Sequence, residues 1–123
     1  MALIIIAPDT KVSSWVKHLS RLGPAIDIRV WPDTGNADDI EFALSWNHPP
    51  GEFKKYRHLK CIASLGAGID HLLADSDLPV GVPITRVVEH SMAQSMSEYV
   101  VLAVLNYCRQ FAVYRTDQSQ KKW

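Results

Sequence analysis

Leu59-Lys60-Cys61-Ile62-Ala63-Ser64-Leu65-Gly66-Ala67-Gly68-Ile69-Asp70-His71-Leu72 decides the reading of the whole chain. Leu59 to Ser64 is a short apolar strand, Leu65 to Gly68 a tight glycine loop, and from Ile69 an amphipathic helical turn begins. In an open α/β sheet, ligands sit at the carboxyl ends of strands. Glycines there let backbone N–H groups approach a ligand with no Cβ in the way. Such a loop suits a small anion such as a carboxylate, and a plain strand-to-helix turn with no ligand stands beside that reading. Gly66-Ala67-Gly68 also opens like the dinucleotide pattern G-x-G-x-x-G, but the third glycine position is His71. That glycine is needed for close helix–strand packing over a pyrophosphate, so the loop reads as a small-anion site and not a cofactor site.

Outward from this stretch the chain alternates strands and helices. Leu3 to Ala7 is a β-branched run suited to a strand covered on both faces. Pro8-Asp9-Thr10 stops it and offers a helix cap, after which Val12, Trp15, Val16, Leu19 and Leu22 recur at helical spacing until Gly23-Pro24. Ile26 to Trp31 alternates apolar and charged residues and is expected nearer an edge. A short helix over Ala37 to Glu41 leads to a third strand, Phe42 to Trp46. Trp46-Asn47-His48-Pro49-Pro50-Gly51 is a proline-stiffened loop that could wall a ligand; the plainer reading, which the residues favour, is a rigid turn with a solvent-exposed histidine. Glu52 to Arg57 reads as a short helix, and Pro83 to Val88 as a fifth strand. This rhythm predicts a doubly wound parallel α/β sheet of about five strands.

From Ser91 the pattern changes. Met92, Met96, Tyr99, Val100, Ala103, Val104, Tyr107, Cys108 and Phe111 keep helical spacing, while Val101, Leu102 and Leu105 add apolar groups outside that stripe. A helix apolar nearly all round is expected to be covered by a second domain or a second subunit. The polar stretch after it, Tyr114 to Trp123, looks like a chain cut short.

The 123 residues fit one domain of ordinary size, and 13 basic against 13 acidic side chains give no electrostatic reason to expect nucleic acid or an anionic membrane as partner. Two cysteines, Cys61 and Cys108, do not make a disulfide framework, and the apolar run after Met1 lacks a basic flank and is too short for a leader or a membrane span; a cytoplasmic location is the expectation. The five histidines lack ligand spacing, so no metal is expected, and no serine sits in a nucleophile-elbow context.

Four stretches in this order, Ala43 to Pro50 (A-L-S-W-N-H-P-P), Leu59 to Leu72, Met96 to Tyr99 (M-S-E-Y) and the closing Y-R-x-x-Q-x-x-x-x-W, resemble the D-2-hydroxyacid dehydrogenases, in particular the glyoxylate/hydroxypyruvate reductase A-like branch. The resemblance implies a flavodoxin-like substrate domain over residues 1–88. Residues 89–123 would then hold a hinge, a long helix and an arm that begin an NAD(P)-binding domain. It also implies that the glycine loop binds the carboxylate of a small 2-oxo acid, chiefly through the amides of Ala67 and Gly68 with Leu65 and Gly66 shaping the loop. Trp46 and His48 would line the pocket, and Met92 would lie near the nicotinamide of a complete enzyme. A homodimer through the Ser91–Ala112 helix and the Tyr114–Trp123 arm follows from the same resemblance.

The true G-x-G-x-x-G and the arginine, glutamate and histidine that do the chemistry in such enzymes have no counterpart in this sequence. Arg86 or His48 as stand-ins would have no cofactor cradle to work with. The expectation is the N-terminal, substrate-binding part of an NAD(P)-dependent reductase of glyoxylate or hydroxypyruvate, binding no cofactor and inactive alone. A stand-alone carboxylate-binding or dimerisation module is the alternative. Two other flavodoxin-like classes fit poorly. Asn47-His48 stands where a receiver domain needs its phosphoacceptor aspartate, and Ala7-Pro8-Asp9-Thr10 is no flavin phosphate loop.

Overall fold

A computed structural model describes residues 1–122. They form two units, Met1–Val88 and the stretch from Glu89 onward. The first is an α/β unit with β1 (Ala2–Ile6), α1 (Ser13–Leu22), β2 (Asp27–Val30), β3 (Ile40–Ser45), β4 (Cys61–Ser64), α2 (Asp70–Leu73) and β5 (Ile84–Thr85). All five strands are parallel in the order β2-β1-β3-β4-β5. This is the flavodoxin-like winding expected from the sequence.

Burial follows the sequence pattern. Ile4, Ile5 and Ile6 are fully buried in β1, which lies between β2 and β3, whereas edge strand β2 is only half-buried, as its alternating charges require. Phe53, Ile62, Leu72, Ile40 and Tyr56 join Ile4 and Ile6 in one buried cluster. Arg29 closes the β2 edge: its guanidinium donates to the carboxylates of Asp27 and Asp39 and to the carbonyls of Thr34 and Asn36. The connection from β2 to β3 is thereby fastened without a long helix.

Several local expectations change. Asp9 and Thr10 do not cap α1, which starts at Ser13 behind Val12 with no side-chain cap; Trp15 and Leu22, expected on its apolar stripe, are exposed. The segments over Ala37–Asp39 and Glu52–Lys55 are single 3₁₀ turns, too short to fix more than a corner. The fifth strand is only two residues long, because beyond Thr85 the chain turns to serve the glycine loop instead of extending the sheet.

The second unit consists of α3 (His90–Cys108) and α4 (Phe111–Ser119). The expected single helix through Ala112 is broken by Gln110, whose positive φ of 56° ends one helix and starts the next. The stretch after Tyr114 is helical to Ser119, and Trp123 lies outside the described residues. Glu89 caps α3, its carboxylate accepting from the N–H groups of Ser91 and Met92. The Ser91 hydroxyl and these amides hold the Glu89 carboxyl below its ordinary range.

Candidate carboxylate-binding loop

Leu65 to Gly68 leaves the carboxyl end of β4 beside the end of β3, and hydrogen bonds from both flanks brace it. Leu65 N–H donates to Ser45 O at 3.0 Å, which ties the loop to β3. Gly66 N–H donates to Ser64 Oγ at 3.2 Å, and the same hydroxyl donates to Gly68 O at 2.7 Å. Ser64 thus clasps both ends of the loop. Gly66 O accepts from Val87 N–H at 3.1 Å and Ala67 O accepts from Arg86 Nη1 at 3.2 Å. Among the described residues, the N–H groups of Ala67 and Gly68 donate to no protein group. Two adjacent free donors on a braced loop are what a carboxylate or other small anion accepts from.

Trp46, expected in the wall of this site, lies directly against it. A Cβ built on Gly66 would stand 2.6 Å from Trp46 Cζ3 and 3.2 Å from Cη2. The glycine is therefore required for the indole's approach, and its backbone dihedrals are not of the left-handed kind. Gly68 has no such constraint, since its nearest neighbour to an added Cβ is Asp70 Oδ2 at 3.6 Å. The indole also meets His71, with ring centroids 4.6 Å apart, and His71 Nε2 lies 3.3 Å from Ser45 O. The residue in the third-glycine position thus packs against Trp46.

His48 is placed differently from Trp46. The solvent-exposed imidazole of the plain reading is corrected: His48 is 7% exposed, its ring packs on Phe53 with centroids 4.3 Å apart, and both nitrogens are engaged. Nε2–H donates to Asp75 Oδ2 at 3.0 Å, and Nδ1 lies 3.3 Å from Ser45 Oγ. Asp75 also accepts from Gly51 N–H at 3.0 Å and Asp77 N–H at 2.9 Å. Burial alone would push the Asp75 carboxyl up; the amides of Asp77 and Gly51 and the His48 ring outweigh it and hold the group below its ordinary value. Ser45, His48 and Asp75 stand in the order of a nucleophilic triad, but Ser45 is fully buried and no substrate reaches it. The trio instead braces the Trp46–Gly51 loop against the segment after α2.

Met92 lies in the second unit, in the first turn of α3, with its side chain exposed. Clefts of about 670 Å³ along α4 (Phe111, Tyr114, Arg115) and about 380 Å³ beside β2 (Arg29, Gly35) do not include the glycine loop. Among the described residues no helix is long and apolar enough to cross a membrane, and no group of histidine, cysteine and carboxylate side chains is arranged to hold a metal.

Comparison with solved structures gives a consistent set of relatives. A D-isomer specific 2-hydroxyacid dehydrogenase from Xanthobacter autotrophicus Py2, solved with NADPH and MES, matches 99% of this chain at 31% identity with a TM-score of 0.80. The structural neighbours are D-isomer specific 2-hydroxyacid dehydrogenases and glyoxylate/hydroxypyruvate reductases. A probable 2-hydroxyacid dehydrogenase from Rhizobium etli CFN 42, in complex with NADP, HEPES and L(+)-tartaric acid, matches at 27% identity and a TM-score of 0.81. The NADPH-dependent glyoxylate/hydroxypyruvate reductase of Sinorhizobium meliloti, in complex with NADP and sulfate, matches at 26% and 0.74; each of the two covers 99% of this chain. The chain spans about 40% of the length of these dehydrogenases. No protein-family profile matches it. The likeness to the dehydrogenases drawn from four short stretches of sequence thus extends to the three-dimensional fold.

The residues of the loop do not fit a dinucleotide. The space over Gly66 is taken by Trp46, the Gly66 N–H by Ser64, and the third glycine position by His71, leaving no cradle for a pyrophosphate.

Proposed function

We propose that residues 1–88 form the substrate-binding part of an NAD(P)-dependent 2-hydroxyacid dehydrogenase, holding the carboxylate of a small 2-oxo acid such as glyoxylate or hydroxypyruvate on the Ala67 and Gly68 amides. The pair of unbonded N–H groups on a loop braced by hydrogen bonds from Ser45, Ser64, Arg86 and Val87 carries this reading. Trp46 would give the acid an apolar wall, and His48 would act from behind by fixing the loop that carries Trp46. Reducing a 2-oxo acid needs a hydride donor, a cation to polarise the carbonyl and an acid to protonate the forming alkoxide. Residues 1–88 supply the grip on the carboxylate. The nicotinamide would be held by residues other than the glycine loop, with Met92 close to it in the complete enzyme.

The 123 residues alone are accordingly expected to bind oxalate, an unreactive mimic of the acid, while leaving NADPH unoxidised in the presence of glyoxylate. Isothermal titration and absorbance at the nicotinamide band check the two halves separately. Steady NADPH consumption by the purified chain would overturn the division of labour, and absence of oxalate binding would overturn the site.

The assembly proposed with this function is a homodimer through the Ser91–Ala112 segment and the arm from Tyr114. Val100, Val101, Leu102, Val104 and Leu105 are all exposed on α3, an apolar surface that a second copy would cover. Sedimentation equilibrium should show concentration-dependent association, and a monomer at all concentrations would contradict it.

A further inference from the structure

We infer that Arg86 is a positioning residue for carboxylate binding: it fixes and polarises the 67–68 peptide so that the Gly68 N–H is presented to the anion. The inference rests on the reading of Ala67 and Gly68 as the carboxylate donors. A trans peptide is planar, with its carbonyl and N–H pointing in opposite directions, and the peptides on both sides of Ala67 are trans. Whatever grips the carbonyl therefore sets where the N–H points. Both carbonyls are gripped from one neighbouring segment, the pair of residues that follows β5. Val87 N–H holds Gly66 O, which aims the Ala67 N–H away from β5; Arg86 Nη1 holds Ala67 O, which aims the Gly68 N–H away in the same manner.

The two anchors differ in kind. Val87 contributes a backbone group that any residue there except proline would supply. Arg86 contributes a side chain, and it makes no ion pair with any carboxylate among the described residues. Its charge is consequently available to the loop. A cation donating to a peptide carbonyl draws electron density from the N–H on the far side and makes that N–H a stronger donor to an anion. The guanidinium and an anion on Gly68 N–H would be separated by one peptide group, within the distance over which 0.1 M salt leaves charges interacting. Strand β5 is only two residues long, and the chain just beyond it takes up this anchoring in place of further sheet pairing.

The test is an oxalate titration of the whole chain followed by amide and carbonyl NMR, comparing the wild type with R86A and R86K. Arg86 is exposed, so neither substitution removes core. The Ala67 carbonyl carbon should move in R86A even without ligand, because that signal reports the lost hydrogen bond. Oxalate affinity should fall about tenfold, the scale of one charge-assisted hydrogen bond. R86K keeps a cation and one donor for one carbonyl, and should restore most of both. Wild-type affinity in R86A, or an unmoved Ala67 carbonyl signal, would overturn the role of Arg86 while leaving the carboxylate site standing. Loss restored by neither charge nor donor in R86K would also overturn it. A wild type that binds no oxalate would remove the site itself and this inference with it.

Discussion

Replacing Asp75 with alanine is expected to lower stability by about 3–4 kcal/mol, a large share of the total for a unit of this size. The carboxylate accepts three hydrogen bonds, from His48 Nε2, Gly51 N and Asp77 N. Removing it leaves the His48 N–H without a partner in a nearly solvent-free position, and an orphaned buried donor costs more than the bond itself contributed. Asp75→Asn should cost less, because its amide oxygen can keep part of the set. Urea denaturation at neutral pH measures both variants, and a loss below about 1 kcal/mol in Asp75→Ala would contradict the account. The pH dependence has a definite sign. The folded-state pKa of Asp75 lies below its reference value of 3.8, so its contribution is present above that pH and is lost as pH falls through the folded value. Stability measured between pH 6 and pH 3 should therefore fall more steeply in the wild type than in Asp75→Asn.

The second large effect is at Gly66. Gly66→Ala places a methyl 2.6 Å from the Trp46 indole, so either the ring swings toward solvent or the loop shifts. Overpacking of this kind costs about 1–3 kcal/mol. It should also weaken oxalate binding several-fold, by displacing the apolar wall or by turning the Ala67 N–H from its line. The cause is separable: in a Trp46→Ala background the same substitution should cost almost nothing in stability, because nothing stands in the way of the new methyl. An equal loss in both backgrounds would show that the strain lies in the loop backbone and not in the indole contact.

How much of this was legible in the sequence depended on whether the cause was local. Ile4 to Ile6 announce a buried parallel strand by composition alone, Leu59 to Ser64 reads as a short apolar strand, and the mixed charges of Asp27 and Arg29 place β2 at an edge. Trp46 and the glycine loop could be paired from sequence only through the family resemblance, yet the contact that makes Gly66 a glycine is between them. His48 and Asp75 are 27 residues apart, and no periodicity or spacing connects them. The one local hint was Asp75-Ser76-Asp77, where an aspartate accepting from the amide two residues on makes an Asx turn. Arg86 and Val87 read as strand residues, and their grip on the Gly66 and Ala67 carbonyls depends on the packing of β5 beside β4. The break at Gln110 carries no glycine or proline to announce it, whereas Glu89, one residue before α3, carries the cap chemistry that sequence rules ascribe chiefly to shorter side chains.

The measurement that bears most directly on the central claim is a proton–nitrogen correlation spectrum of the wild-type chain titrated with oxalate at low salt. The account predicts saturable shifts led by the Ala67 and Gly68 amides, accompanied by the Trp46 indole N–H, with little change at the Arg29 edge of the sheet. Absence of shifts at tens of millimolar oxalate, or shifts centred on Arg29 and its neighbours with Ala67 and Gly68 unmoved, would contradict it.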